Sequence, residues 1–145
     1  MSISCEGYCF EDIYIGQEET VSSIVDLDKI TQFAVITGDN NPVHLDADFA
    51  AQTKFQKIVA HGMLTASFVS TILGTKLPGP GCIFISQETQ FKRPVFVDDH
   101  VTTYAKVIAM DAKKCFVTLE TKCLVNDKIV LTGQAIAMVP SRKKQ

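Results

Sequence analysis

The hydrophobic pattern predicts one strand followed by helices in the first half of the chain. Residues 18–25 mix β-branched and polar side chains, which is typical of a strand. Residues 27–37 carry apolar side chains at helical spacing, and Asp26 or Asp28 is suited to cap this helix. Along one side of this helix lie Ile30, Phe33, Ala34 and Ile36 or Thr37. A shorter helix is predicted over residues 46–53, where aspartates favour the first turn.

A long apolar stretch in the middle of the chain predicts a central helix. Residues 62–73 are apolar on nearly all sides of a helical projection and carry no charge, which is typical of a helix buried inside a domain. Gly74 is suited to end this helix. The Pro-Gly-Pro-Gly sequence of residues 78–81 then predicts a sharp turn.

Alternating residues in the second half predict an antiparallel sheet. Turns at residues 111–113 and 126–127 separate the last three segments. The predicted strands cover residues 82–91, 100–110, 115–125 and 128–139. A long antiparallel sheet that packs on one buried helix belongs to the α+β class. Without an internal repeat or a linker, residues 1–145 are expected to form a single domain.

Composition and charge exclude several classes of partner. The chain has 145 residues, of which 46% are hydrophobic and 21% charged, as in ordinary globular proteins. A net charge of −2 offers no basic surface for nucleic acid. No apolar run reaches the length that spans a bilayer, and residues 1–11 lack the pattern of a secretion signal. We therefore expect a cytoplasmic protein with neither a nucleic-acid nor a membrane partner.

The five cysteines are scattered and form no Cys-x-x-Cys motif. The three histidines do not extend them into a zinc-binding spacing, so no metal site is predicted. For a cytosolic protein this pattern favours reduced, structural thiols. The cysteines concerned are Cys5, Cys9, Cys82, Cys115 and Cys123.

The loop after the first helix carries the main candidate chemistry. Gly38 tolerates the left-handed backbone that ends helices, and Pro42 pushes Asn41 toward an extended conformation. Asp39 and His44 are thereby held on one short loop. A carboxylate and an imidazole together can activate a water molecule and move a proton. The same residues are also typical of an ordinary helix-ending turn, with Asp46 as the cap of the next helix.

The spacing of this loop resembles a known family signature. The motif is Thr-Gly-Asp-x-Asn-Pro-x-His over residues 37–44, with an aromatic residue at Phe33 and an alanine at Ala50. It is similar to the signature of the MaoC-like hydratases, the family of (R)-specific enoyl-CoA hydratases. The resemblance implies a hot-dog fold in which the antiparallel sheet wraps the helix at residues 62–73. Residues 26–53 would then be an inserted segment that covers the active site.

The resemblance also implies roles for residues on the central helix. In the family register Gly62 falls on the oxyanion-hole glycine, Ser70 on a serine that lines the site, and Leu73 on a residue that limits the acyl chain. Backbone N–H groups at a helix start are suited to hold a developing negative charge. Residues expected to contribute to substrate binding are Ser70, Leu73, Asn41, His61 and Met63. Among these, Asn41 is expected to hold the loop through backbone hydrogen bonds, and His61 is not expected to act as a second base.

The implied activity is the reversible syn hydration of a trans-2-enoyl-CoA to the (R)-3-hydroxyacyl-CoA. Asp39 and His44 would supply the catalytic groups, and no cofactor would be needed because coenzyme A enters with the substrate. Lys92 and Arg93 are candidates to meet its phosphates. The alternatives are a 3-hydroxyacyl-[acyl-carrier-protein] dehydratase, a hot-dog thioesterase and a non-catalytic partner subunit. The absence of Asp and Glu from residues 62–73 argues against the thioesterase.

The family likeness further implies a homodimer whose sheets join edge to edge, in keeping with the closed symmetry of most homo-oligomers. One departure from the family pattern lies after Val95. The family often has Gly-Asp where this chain has Asp98 and Asp99. That change falls in a predicted turn away from the proposed chemistry.

Overall fold

The protein pairs a long helix with one face of a five-stranded antiparallel sheet. The computed structural model describes residues 5–143. After a short 3-10 turn at Phe10–Asp12, the elements in chain order are β1 (Glu18–Val25), α1 (Leu27–Thr37), α2 (Pro42–Leu45), α3 (Ala47–Ala51), α4 (Gly62–Thr75), β2 (Ile83–Phe91), β3 (Asp99–Asp111), β4 (Phe116–Val125) and β5 (Lys128–Met138). The α+β class is confirmed. Each predicted strand agrees with an observed strand to within one residue at both ends.

The order of the strands explains why a long helix lies between β1 and β2. The order across the sheet is β1-β3-β4-β5-β2, and all neighbouring pairs are antiparallel. Strands β1 and β2 follow each other along the chain but occupy opposite edges of the sheet. The segment that joins them must therefore cross the sheet, and α4 is the part that packs on it, against β1, β2, β3 and β5.

The main core forms where α4 meets the sheet. Val69, Ile72 and Leu73 of α4 pack into one apolar cluster with residues of β3, β4 and β5, such as Val107 and Leu119. All five are essentially excluded from solvent. Burial of this kind is the dominant stabilising term in a domain of this size. It fixes α4, and with it the N-terminus of α4 at Gly62, relative to the sheet.

A second cluster holds the inserted segment over the start of α4. Ile30 of α1 is fully buried and packs with Val25 and Leu64, together with residues of the sheet. Ala34 is buried one turn further along α1. Ile36 and Thr37, which the helical spacing groups with these residues, are both exposed, and Ile36 is 82% exposed. The last turn of α1 projects beyond the edge of the core, which leaves these side chains in solvent.

Two helical details differ from the predicted pattern. Residues 42–45 form the short helix α2 rather than a loop, because Asn41 caps it and Pro42 occupies its first turn, a position that proline suits. The central helix does not end at Gly74. It runs on to Thr75, and Lys76 is its C-cap. The helix predicted over residues 46–53 is present as α3, with Asp46 as N-cap.

The prediction of reduced thiols is wrong for one pair of cysteines. Cys5 and Cys9 form a disulfide, and their Cα atoms lie 5.5 Å apart, within the range that a disulfide bridges. The turn before Phe10 brings these residues together, a local geometry that their spacing does not reveal. Cys82 and Cys123 are thiols as predicted. Burial raises the pKa of Cys82, and raises the pKa of Cys123 to about 11, so both are poor nucleophiles at neutral pH.

The turn at Asp98 accounts for the glycine that the family often has there. Asp98 adopts a left-handed backbone with φ of 69°. Glycine takes this conformation without steric cost, and aspartate is among the few other residues that tolerate it. The carboxylate of Asp99 accepts a hydrogen bond from the Phe96 N–H at 2.8 Å and closes the turn. Asp98 and Asp99 therefore suit the same turn as the Gly-Asp of the family pattern.

Candidate active site

The loop that carries Asp39 is shaped by hydrogen bonds of short range. Gly38 takes a left-handed conformation with φ of 80°, and its N–H donates to the Ala34 carbonyl at 2.8 Å, which ends α1. The hydroxyl of Thr37 accepts from the Asp39 N–H at 3.1 Å. Asp39 Oδ1 accepts from the Asn41 N–H at 3.3 Å. These contacts leave the Asp39 carboxylate exposed to solvent.

Helix α2 places His44 beside this carboxylate. The side-chain oxygen of Asn41 accepts from the Val43 N–H at 3.2 Å and caps α2, as expected of Asn41 from the sequence. His44 lies in the single turn of α2 and is half-buried. Its Nδ1 lies 2.7 Å from the Val59 carbonyl oxygen. A carbonyl only accepts, so Nδ1 carries the proton and Nε2 of the neutral ring is left as an acceptor.

His61 joins the loop to the start of α4. It is 2% exposed and is the N-cap residue of α4, although its side chain does not cap the helix. Its Nε2 lies 3.0 Å from the backbone oxygen of Asp39. Its ring stacks on His44 with centroids 3.9 Å apart and an angle of 28° between planes, and it meets Phe33 at 4.8 Å. His61 therefore contacts both residues that the sequence predicted as catalytic, Asp39 and His44.

Asp39, His44 and His61 are also a possible donor set for a metal ion. One ligand atom from each lies within 4.8 Å of the others. Nδ1 of His44 and Nε2 of His61 each face a carbonyl oxygen, that of Val59 and that of Asp39. A neutral imidazole held in this way keeps its other nitrogen as an acceptor, which suits proton transfer. The absence of a metal stays a prediction.

A cavity of about 390 Å³ opens between the loop and the N-terminus of α4. Its walls are largely apolar, and its polar lining includes Asn41, His44, Thr65, Lys92 and Arg93. Gly62 lines it as well, at the point where the first backbone N–H groups of α4 lack helical partners. The cavity thus brings an imidazole acceptor and a helix N-terminus to one space.

Gly62 is packed too closely to accept a side chain without adjustment. A Cβ at this position would lie 2.9 Å from Cε1 of Phe91, a ring that also lines the cavity. Glycine therefore lets the ring and a ligand approach the backbone of α4.

Two positively charged side chains, Lys92 and Arg93, line the same cavity. Lys92 Nζ donates to Gln90 Oε1 at 2.7 Å, and Arg93 Nη1 donates to the Ile129 carbonyl at 2.6 Å. Both side chains are exposed. Their role toward coenzyme A phosphates stays a prediction.

The other predicted binding residues lie apart from this cavity in the described chain. Ser70 is on the exposed side of α4, and Met63 is 60% exposed. Leu73 is fully buried in the main core. None of the three lines the cavity beside His44. Conversely, the sequence did not indicate that Thr65 lines it, or that His61 contacts both members of the loop pair, because such contacts depend on how distant segments fold together.

None of the helices described between residues 5 and 143 is both long and apolar enough to cross a membrane.

Comparisons with known proteins agree on one family. The family model described as "MaoC like domain" matches residues 14–137. The (R)-specific enoyl-CoA hydratase of Rhodospirillum rubrum is 44% identical over 133 residues, which are 92% of each chain. The 3-hydroxybutyryl-CoA dehydratase of Methylorubrum extorquens is 39% identical over 93% of this chain and 86% of its own. The solved structure of an (R)-hydratase from A. caviae involved in PHA biosynthesis superposes with a TM-score of 0.88. It is 38% identical and covers 90% of this chain and 99% of its own.

Proposed function

Because this chain belongs to the MaoC-like family, we propose that it is an (R)-specific enoyl-CoA hydratase. The hot-dog fold and the family resemblance that the sequence predicted are confirmed. The activity is the reversible syn addition of water to a trans-2-enoyl-CoA, which gives the (R)-3-hydroxyacyl-CoA. The observation that carries the proposal is the meeting of His44 and Gly62 at one cavity, with the Asp39 carboxylate close to the imidazole.

In the proposed reaction, Asp39 and His44 hold and activate a water molecule. The Nε2 atom of His44 is the free acceptor, because Nδ1 is engaged with Val59. The water oxygen bonds to C3 of the enoyl group, and its proton passes to the Asp39–His44 pair. The electron pair of the double bond moves toward the thioester, and Asp39 and His44 together return one proton to C2. The two groups act as a coupled unit and end in their starting state.

Gly62 is proposed to supply the oxyanion hole. Negative charge builds on the thioester oxygen as water adds to C3. The backbone N–H groups at Gly62 and Met63 begin α4 and lie at the positive end of its dipole, where a helix offers its N–H groups no partner of its own. Donors of this kind stabilise a developing oxyanion strongly in a site shielded from water.

The substrate is proposed to be a coenzyme A thioester, with Lys92 and Arg93 near its phosphates. The reaction is proposed to need no redox cofactor, because hydration is redox-neutral, and the Asp39–His44 pair is proposed to activate the water without a metal. A single hot-dog domain per chain carries the whole set of groups. The cavity of about 390 Å³ favours a short acyl chain. Short-chain preference would suit the supply of polyhydroxyalkanoate precursors, and rates across enoyl-CoAs of increasing length measure it.

A direct assay tests this function. Purified protein is expected to hydrate crotonyl-CoA to (R)-3-hydroxybutyryl-CoA without releasing free thiol. The variant His44→Gln is expected to lose about 10²- to 10⁴-fold in kcat, the usual contribution of a general acid–base residue. The matched control is His100→Gln, because His100 is the exposed histidine on β3, away from the cavity. Thiol release, or normal turnover by folded His44→Gln protein, would contradict the proposal. Turnover of crotonyl-[acyl-carrier protein] alone would instead assign the dehydratase alternative.

We also propose that the protein is a homodimer joined through β2. This strand is at the edge of the sheet, and none of its nine residues is buried. Large apolar side chains are exposed along it, namely Ile83, Phe84, Ile85 and Phe91. A long apolar edge strand without protection would recruit other strands. A second copy that pairs antiparallel through β2 would cover this edge and close the symmetry.

The two edges of the sheet offer a matched test of the dimer. Ile85 on β2 and Ile24 on β1 are equally exposed, at 42% and 43%. The wild type is expected to scatter light as a dimer, Ile85→Lys as a monomer, and Ile24→Lys as a dimer. A monomeric wild type, or two variants that behave alike, would refute the assignment of β2.

A further inference from the structure

His61 contacts both members of the catalytic pair yet has no part in the proposed proton transfers. We infer that His61 is a positioning residue that aligns Asp39 and His44 with each other. This inference rests on the proposed hydration, because the residues that His61 aligns are those assigned to it.

The first step is the bond from His61 to the backbone of Asp39. The bonds made by Thr37 and Asp39 inside the loop span only two residues, so they shape the loop without placing it against α4. The bond from His61 Nε2 to the Asp39 oxygen spans 22 residues. It ties the backbone of Asp39, from which the catalytic carboxylate extends, to the residue that directly precedes Gly62. The distance between the carboxylate and the proposed oxyanion hole therefore depends on His61.

The second step is the stack between His61 and His44. The bond from His44 Nδ1 to Val59 leaves the ring free to swing about that contact. A second ring 3.9 Å away and nearly parallel to it removes that freedom. Phe33 packs on His61 at 4.8 Å, so His61 is itself held from α1. The stack thereby sets the direction in which Nε2 of His44 points.

The third step concerns the tautomer of His61. The Asp39 oxygen accepts a hydrogen bond, so Nε2 of His61 carries the proton and Nδ1 is an acceptor. That Nδ1 is buried and has no partner among residues 5–143. The bond to the Asp39 oxygen alone therefore favours the tautomer of His61 with its proton on Nε2.

Substitutions of His61 separate positioning from folding. The side-chain amide nitrogen of Gln can reach the place of Nε2 and keep the bond to Asp39, whereas that of Asn is too short. His61→Asn is expected to lower kcat about 100-fold, the effect of a misplacement near 1 Å, with KM changed less than threefold. His61→Gln is expected to lose only about tenfold, because it keeps one of the two alignments. His100→Gln serves as the control and is expected to match the wild type.

A histidine ¹⁵N spectrum tests the bond from His61 to Asp39. The wild type is expected to show His61 protonated on Nε2, the nitrogen that faces the Asp39 oxygen.

The outcomes distinguish this inference from the proposed function. If the wild type fails to hydrate crotonyl-CoA, the proposed function fails and the wild-type ¹⁵N spectrum alone decides the bond to Asp39. If the wild type is active, normal kcat in folded His61→Asn overturns the positioning role. If that variant does not fold, a kcat of His61→Gln equal to that of the wild type overturns it. A proton on Nδ1 alone of His61 in the wild type overturns the bond to Asp39.

Discussion

The two sides of the cavity are built in different ways. The loop side, residues 37–45, is mostly exposed and is held by side-chain to backbone bonds of short range. The helix side, residues 61–65, is anchored by Leu64 and by the continuation of α4 into the main core. Reactive groups therefore lie where substitution costs little stability, while alignment comes from a part of the fold that cannot move. Substitutions on the two sides should separate activity from stability.

The largest difference between loss of activity and loss of stability is expected from Asp39→Asn on the loop side. The carboxylate is exposed, and an amide oxygen can still accept from the Asn41 N–H, so the loop keeps its shape. The loss of charge and basicity is expected to lower kcat/KM by at least about 10³-fold, within the range of acid–base residues. Crotonyl-CoA kinetics and a thermal melt of the same sample measure both quantities. If Asp39→Asn lowers the melting temperature along with kcat/KM, the loop side contributes to stability as well as to activity.

The next largest effect is expected in the core on the helix side. Leu73→Ala is expected to lower the free energy of unfolding by about 2 to 5 kcal/mol, because Leu73 is fully buried. The family register also gives Leu73 a role in limiting the acyl chain. Removal of its side chain is therefore expected to raise the relative rate on longer enoyl-CoAs.

Ile72→Ala is the matched control for Leu73. Ile72 is equally buried in the same cluster, so the stability loss should be similar while the chain-length profile stays unchanged. Urea unfolding and a series of enoyl-CoA substrates measure the two properties. If both variants shift the profile alike, Leu73 has only a packing role.

A smaller effect is expected from Gly62→Ala, at the boundary between the two sides. The new Cβ lies 2.9 Å from Phe91 and pushes that ring into the cavity. We expect about a tenfold loss in kcat/KM, in line with the effect of small displacements on reaction geometry. The ring is exposed and can yield, so stability should hardly change.

A double-variant cycle identifies the cause of that loss. Phe91→Leu is expected to recover most of the activity in the Gly62→Ala background and to have little effect alone. A double variant as slow as Gly62→Ala would show that the methyl group itself blocks the backbone of α4.

Much of the fold could be predicted because its signals are local. The alternation of residues in β3 to β5 and the turns between them set strand ends that the structure confirms. Gly38 and Asp26 likewise mark the observed end and cap of α1. Even the short helix α2 has local causes in Asn41 and Pro42. Pro42 was predicted only to push Asn41 toward an extended conformation, which agrees with its φ of −53° and ψ of 125°.

What could not be predicted depends on contacts between distant segments. Ile36 has suitable spacing to face inward, but whether a partner lies beside it depends on where the core ends. His61 lies 22 residues from Asp39, and no periodicity indicates that their atoms meet. Ser70 and Leu73 lie outside the cavity of the described chain, Ser70 on the exposed side of α4 and Leu73 in the main core, and their roles in substrate binding stay predictions. The disulfide of Cys5 and Cys9 depends on a turn that their spacing does not specify.

The smallest effect is expected from Asn41→Ala, which returns the comparison to the loop side. Asn41 caps α2, and loss of such a cap costs about 1 kcal/mol in general. Because α2 has only four residues, that change should loosen His44 locally rather than destabilise the domain. We expect kcat to fall about threefold to tenfold with a melting temperature close to that of the wild type, since small misplacement of a catalytic group slows the reaction first. Asn40→Ala is the matched control, because the contact described for Asn40 is made by its backbone N–H to Gly38. If Asn41→Ala instead lowers the melting temperature and leaves kcat unchanged, the loop side contributes to the stability of the fold, and activity and stability are not divided between the two sides.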